Sequence, residues 1–229
     1  MKKSLLTAVI LSSTVFVSSS ALAEVSGNIG ATSNYLWRGV TQTDDSVAVQ
    51  GGIDYAHESG FYAGGWASNV DFGDAATYEF DLYLGYGGSI GEDVTYDLSY
   101  LYYAYPDADS SYNFGEVSFA LAWEWLDVGY SRVVNAQSDV SGADSETDWG
   151  YAQVNLTFPL TEKVSLGLHY GYSHGDVVKD LFDGSAYSDY NLSVSTETDF
   201  GTISFMVSDT DLEDDDAKVV LGYSYGFEM

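Results

Sequence analysis

Cysteine is absent from the 229 residues, so no disulfide framework holds this chain together. Proline is nearly absent too, at two positions, Pro106 and Pro159. Cations are scarce: seven Lys and Arg stand against 35 Asp and Glu, for a formal net charge of −28. A surface of that sign repels phosphate backbones, which excludes nucleic acid as an expected partner. Beyond the first two dozen residues, no run approaches the ~18 consecutive apolar residues that a spanning helix needs. What the chain has instead is aromatic and small: 20 tyrosines, 11 phenylalanines, 5 tryptophans and 24 glycines, at a near-neutral mean hydropathy of −0.08.

The N-terminus reads as an export signal. Lys2 and Lys3 form a basic head, residues 5–17 a mostly apolar stretch, and residues 18–23 a small-residue tail ending Ala21-Leu22-Ala23. That is the pattern cut by signal peptidase, and the apolar stretch is short for an anchor crossing about 30 Å of hydrocarbon. The expected division is a signal peptide over residues 1–23 and one mature domain over residues 24–229. Losing Lys2 and Lys3 leaves Arg38, Arg132, Lys163, Lys179 and Lys218 as the only cations.

The mature chain runs on a period of two. At its C-terminus Val219, Leu221, Tyr223, Tyr225, Phe227 and Met229 share one parity, against Lys218, Gly222, Ser224, Gly226 and Glu228, with Val220 the single exception. Val164, Leu166, Leu168, Tyr170 and Tyr172 alternate in the same way with Ser165, Gly167, His169, Gly171 and Ser173. A helix would mix these sets on one face, so these windows are strands. Short polar turns near residues 58, 91, 126, 161 and 200 alternate with longer acidic connections near 39–45, 73–76, 106–112, 135–147, 175–185 and 210–216. Five turns and six loops separate twelve strands, placed at about 25–37, 46–56, 61–72, 77–88, 93–105, 113–124, 126–134, 148–158, 163–173, 186–197, 201–209 and 217–229. Alternating short and long connections, with an apolar parity rich in aromatics, predict an all-β fold: an antiparallel, up-and-down transmembrane β-barrel of about twelve strands. A soluble β-sandwich also alternates, but would not carry tyrosine and tryptophan on one parity through a dozen strands.

In such a barrel the polar parity faces the lumen. It collects Asp54, Asp71, Glu79, Asp81, Asp97, Glu116, Glu124, Asp127, Asp189 and Glu197, with Arg38 and Lys218 as its chief cations. Rings of carboxylate favour cations, although solvated wall charges with no chosen permeant would give the same pattern. Twelve strands lie between the eight that fill themselves and the sixteen that leave a wide channel, so the bore is expected to be narrow. Trp37, Trp123, Trp125 and Trp149 fall near strand ends, as an interfacial girdle requires, whereas Trp66 is mid-strand. Arg132 shares parity with Leu126, Val128 and Tyr130, and either reaches the headgroups or follows a parity shift at Val133 and Val134. Three histidines and no G-x-S-x-G turn give no convergent nucleophile and base, so no enzyme and no cofactor are expected. The acidic stretch 209–216 does not match a calcium-hand loop, so no metal site is expected there beyond loose divalent bridging to lipopolysaccharide phosphates.

The run over residues 32–43, with Asn34, Tyr35, Trp37, Arg38 and Gly39, followed by residues 49–52 and 60–70, resembles the TorF-type porins of proteobacteria. That resemblance spans the mature chain and implies an outer-membrane barrel with a transport role, without naming a permeant or any catalytic residue. The last strand also resembles the sorting signal read by the barrel-assembly machinery, although it ends in Met229 where Phe or Trp is commonest. The expected function is passive diffusion of small solutes or ions through a Gram-negative outer membrane. The alternative is a non-conducting structural or adhesive barrel acting through its acidic loops. Expected partners are outer-membrane lipid, lipopolysaccharide and the assembly machinery.

Overall fold

The computed structural model describes residues 24–182 and 184–229. The proposed signal over residues 1–23 lies outside the described residues. Twelve strands close into one antiparallel barrel: β1 (Glu24–Thr32), β4 (Ala48–Ala56), β5 (Phe61–Asn69), β6 (Tyr78–Ile90), β7 (Val94–Ala104), β8 (Phe114–Trp123), β9 (Leu126–Ala136), β10 (Gly150–Pro159), β11 (Val164–His174), β12 (Tyr187–Thr198), β13 (Gly201–Thr210) and β14 (Lys218–Glu228). Each strand pairs with its sequence neighbours, and β1 closes the ring on β14 through Ser26↔Glu228 to Thr32↔Gly222. Closure leaves no sheet edge unpaired, which a sheet in hydrocarbon requires, since each orphan backbone group there costs several kcal/mol.

The alternation predicted from the sequence sets which side chains face out. Ile29, Ile53, Leu82, Leu98, Phe119, Leu192, Ile203 and Leu221 all point outward, each about half exposed. Glu79, Asp81, Asp97, Glu116 and Asp189 on the opposite parity are buried inside. An apolar outer wall around a polar interior is the arrangement for lipid, inverted from that of a water-soluble protein. Short turns gather at one end, with Glu24 and Glu228; six longer connections gather at the other.

The structure departs from the sequence reading at the end of the first strand and in the loop over 175–186, and it carries the expected parity shift near Val133 as a bulge. The first strand ends at Thr32 rather than 37, because the Thr32 hydroxyl bonds the Asn34 carbonyl and the chain then turns. The connection that follows is itself a miniature hairpin, β2 (Leu36–Trp37) and β3 (Val40–Thr41), turned by Arg38 and Gly39, both at positive φ. Positive φ at both central residues is what a two-residue hairpin turn of the primed class needs, and Gly supplies it at no steric cost. A bulge lies between β8 and β9: Glu116 pairs with Val133 and Gly115 with Asn135, leaving Val134 as the extra residue. Arg132 therefore stays on the lipid parity, one residue before the shift. It lies at the loop end and pairs with Asp148 at 3.0 Å. The loop over 175–186 contains a short helix, α1 (Asp176–Leu181), whose Val177 and Val178 are fully buried.

Candidate functional site

The hairpin over residues 33–47 folds into the barrel and occupies its loop end. Its base is tied by Asn34, whose amide donates to Asp45 (2.7 Å) and whose oxygen accepts from the hydroxyls of Thr41 (2.7 Å) and Thr43 (3.3 Å). Its tip rests on the wall: the Tyr187 hydroxyl donates to the Arg38 carbonyl, and a Cβ at Gly39 would come within 2.6 Å of Thr210 and 2.7 Å of Asp189.

The inward side chains Tyr35, Trp37 and Arg38 each find a partner chosen by chemistry. The Tyr35 hydroxyl donates to Glu79 at 2.9 Å, and Tyr105 donates to the other oxygen of the same carboxylate at 2.9 Å. The Arg38 guanidinium donates to Glu116 at 2.6 Å, with side chains only 6 % and 3 % exposed. It lies 4.2 Å from the centroid of the Trp37 ring and 4.3 Å from that of Tyr151, with Trp149 at 6.0 Å. Aromatic faces attract a desolvated cation, and the ion pair with Glu116 offsets the cost of taking both charges out of water. Tyr35 packs edge-on to Trp66, and Trp37 to Trp149, while Phe114 packs between Tyr103 and Trp149.

The expected tryptophan girdle is thus corrected. Trp123 and Trp125 are exposed at the turn end, but Trp37, Trp66 and Trp149 fill the lumen. Position near a strand end cannot separate the two roles, because the inner face of a small barrel also needs filling. Trp66, set apart in the sequence only as mid-strand, packs inside against Tyr35.

The carboxylates expected in the lumen fall into three groups. Glu79, Asp81, Glu116 and Asp189 surround the hairpin, and the Asp81 Oδ1 has no hydrogen-bond partner. Asp54, Asp97, Asp127 and Glu197 lie on the wall further toward the turn end. Asp71 and Glu124 are off the wall. Asp71 lies exposed in the 70–77 loop, where its carboxylate bonds the Gly73 N–H, and Glu124 sits at positive φ in the β8–β9 turn. Lys218 is at the rim, paired with Asp215, and Arg38 belongs to the hairpin rather than the wall.

A repeated brace organises the wall, unseen in the sequence. Tyr83 crosses Gly64 on the next strand to reach Asp54; Tyr62 crosses Gly85 to reach Asp97; Tyr151 crosses Gly171 to reach Asp189. Each brace spans three strands, and a Cβ at the glycine would collide with the ring. Asn155 donates to Asp127 at 2.8 Å, and its oxygen meets His169 Nδ1, whose Nε2 lies 2.9 Å from Asp189. A cavity of about 610 Å³ at the turn end is lined by Ser26, Asn28, Asp54 and Glu228, and one of about 380 Å³ at the loop end by Thr41, Asp44, Asp71 and Phe72. Thr41 and Asp44 of the second cavity belong to the hairpin.

Outside the strands, Asp148 anchors two elements. It accepts the Asp176 backbone N–H at 2.9 Å, at the start of α1, and pairs with Arg132. The backbone hydrogen bond and the guanidinium hold its carboxyl below the usual range.

A profile of the Gcw_chp family, described as bacterial proteins of unknown function, matches residues 17–225. The chain belongs to that family. No curated protein matches it. Among solved structures, this Gcw_chp chain is similar to the KdgM porin, at a TM-score of 0.56 and 10 % identity over 88 % of this chain and 99 % of that one. It is similar to the same porin in complex with disordered oligogalacturonate, at 0.56 and 9 % over 90 % and 99 %. An outer-membrane channel from Pseudomonas putida F1 follows at 0.54 and 10 %, over 91 % and 96 %. Identities so low establish a common barrel fold and no more.

Proposed function

We propose that this Gcw_chp protein is a narrow, porin-like channel of the Gram-negative outer membrane, of TorF type, passing small solutes or ions and tolerating cations. Its export by a cleaved signal over residues 1–23, and its insertion through the C-terminal strand by the barrel-assembly machinery, belong to the same reading. So do contacts of the acidic loops with lipopolysaccharide. The observation that carries it is the lumen: a polar, carboxylate-lined interior enclosed by a lipid-facing wall, with the hairpin over residues 33–47 packed into its loop end. The hairpin narrows the outer mouth, and transient displacement admits the permeant. Wall carboxylates lower the barrier for cations over anions.

The alternative reading, a non-conducting surface barrel, draws on the aromatic packing around Trp37 and Trp149 and on the buried valines of α1. Planar-bilayer recording separates the two. The channel reading expects brief, discrete current steps and a reversal potential of cationic sign in a potassium chloride gradient. Silence from protein shown to be folded by heat-modifiable migration would favour the surface barrel, and a reversal potential of anionic sign would remove the cation preference.

A further inference from the structure

We propose that the lumen wall around Arg38 is a recognition site for guanidinium-bearing solutes, and that Arg38 occupies it as a built-in stand-in while the hairpin is seated. The inference rests on the channel reading and names the class of solute that reading leaves open. Remove the hairpin, and what remains on the barrel is a box. Glu116 supplies a buried carboxylate that bonds the guanidinium at 2.6 Å. Tyr151 supplies a ring face 4.3 Å from its carbon, and Trp149 a second at 6.0 Å. The Tyr103 hydroxyl bonds the other Glu116 oxygen at 3.4 Å, orienting the carboxylate without neutralising it.

A carboxylate with flanking aromatic faces matches a planar, delocalised cation better than an ammonium, because a guanidinium both forks onto oxygen and stacks on rings. The occupant already there is such a cation. Its fit is incomplete: Arg38 Nη1 is buried and has no hydrogen-bond partner, whereas Nη2 is bonded. A free guanidinium, untethered from the hairpin, can turn to place two N–H groups on Glu116. Such a solute competes with Arg38 for the box and so favours the unseated hairpin, since a ligand shifts a two-state equilibrium through its differential affinity for the two states.

Methylguanidinium is the probe, with urea as its uncharged analogue of similar shape. Its binding to the detergent-solubilised full chain is followed by tryptophan fluorescence and calorimetry in Arg38→Ala, where the box is vacated, and in Arg38→Ala/Glu116→Gln, where the carboxylate is gone. Binding to the single variant is expected to be tighter by about tenfold or more than to the double variant, as for loss of a charge-assisted hydrogen bond. Urea is expected to bind neither. Should Arg38→Ala fail to fold, a variant with residues 35–42 replaced by glycine and serine keeps the wall and removes the stand-in. Equal binding with and without Glu116, or equal binding of urea, would overturn the site. Binding is read without current, so a silent channel that still binds leaves the site standing, and a conducting one that does not bind leaves the channel standing.

Discussion

Arg38 and Glu116 are two charges taken almost wholly out of water, and each is tolerable only because of the other. Removing one partner leaves the other buried and unpaired, at a cost of about 3–5 kcal/mol, whereas removing both can be nearly neutral. Arg38→Ala is therefore expected to lower the denaturant midpoint at which the folded, fast-migrating form is lost, and Arg38→Ala/Glu116→Gln to recover much of it. A double variant worse than the single would contradict the pairing. Gly39 is a second sensitive position, at φ +82 and with no room for a Cβ against Thr210 and Asp189. Gly39→Ala is expected to unseat the hairpin tip while leaving the barrel ladder intact. The readout is faster protease cleavage within residues 33–47 with unchanged strand content by circular dichroism; an unchanged cleavage rate would show that the tip has slack.

Among the elements, α1 and the loop over 137–149 are joined by two carboxylates: Asp180 accepts the Gly142 N–H at 2.6 Å, and Asp148 holds the start of the helix. Asp148 accepts the Asp176 N–H and pairs with Arg132, so its folded pKa lies below the unfolded value near 3.8. A depressed carboxyl stabilises this junction fully above that ordinary value and loses it as pH falls through the lowered one. Hydrogen exchange at residues 175–181 is expected to be pH-independent, once intrinsic rates are removed, at neutral pH and to accelerate only below that range; in Asp148→Asn it is expected to be fast throughout. The glycine braces make a different claim. Gly171→Ala puts a methyl where the Tyr151 ring lies, and is expected to break the Tyr151–Asp189 contact and destabilise the barrel by about 1–3 kcal/mol, as overpacking does. A smaller loss than for alanine at Gly226, where a Cβ would meet nothing closer than 3.9 Å, would contradict that role. These elements also mark the limit of what the sequence discloses. Period-two alternation disclosed the twelve-stranded barrel, because a strand has only two faces and lipid accepts one kind of side chain, but it also put Asp71 and Glu124 on a wall that ends before them. It could not show that residues 33–37 leave the wall, since a strand that turns inward keeps its alternation for several residues. Nor could it place Trp37 and Trp149 inside. The motif of Asn34, Tyr35, Trp37, Arg38 and Gly39 was visible as a motif, but its role depends on Glu79, Glu116 and Tyr151, which lie from 44 to 113 residues away in the chain and meet it only when the barrel closes.

For the whole molecule, the inverted arrangement decides everything else. Oily side chains coat the outside, carboxylates and tyrosines line the inside, and the packed cluster lies within the cylinder at its loop end. A wall of twelve strands does not by itself fill its interior, and at the loop end a connection of fifteen residues, 33–47, packs inside it with Trp66, Trp149, Val177 and Val178. The most direct test compares single-channel conductance of the native protein with that of a variant in which residues 34–43 are replaced by glycine and serine, both folded by heat-modifiable migration. The seated hairpin predicts that the variant conducts in larger and longer steps. Equal conductance in the two proteins would mean that the hairpin does not close the lumen.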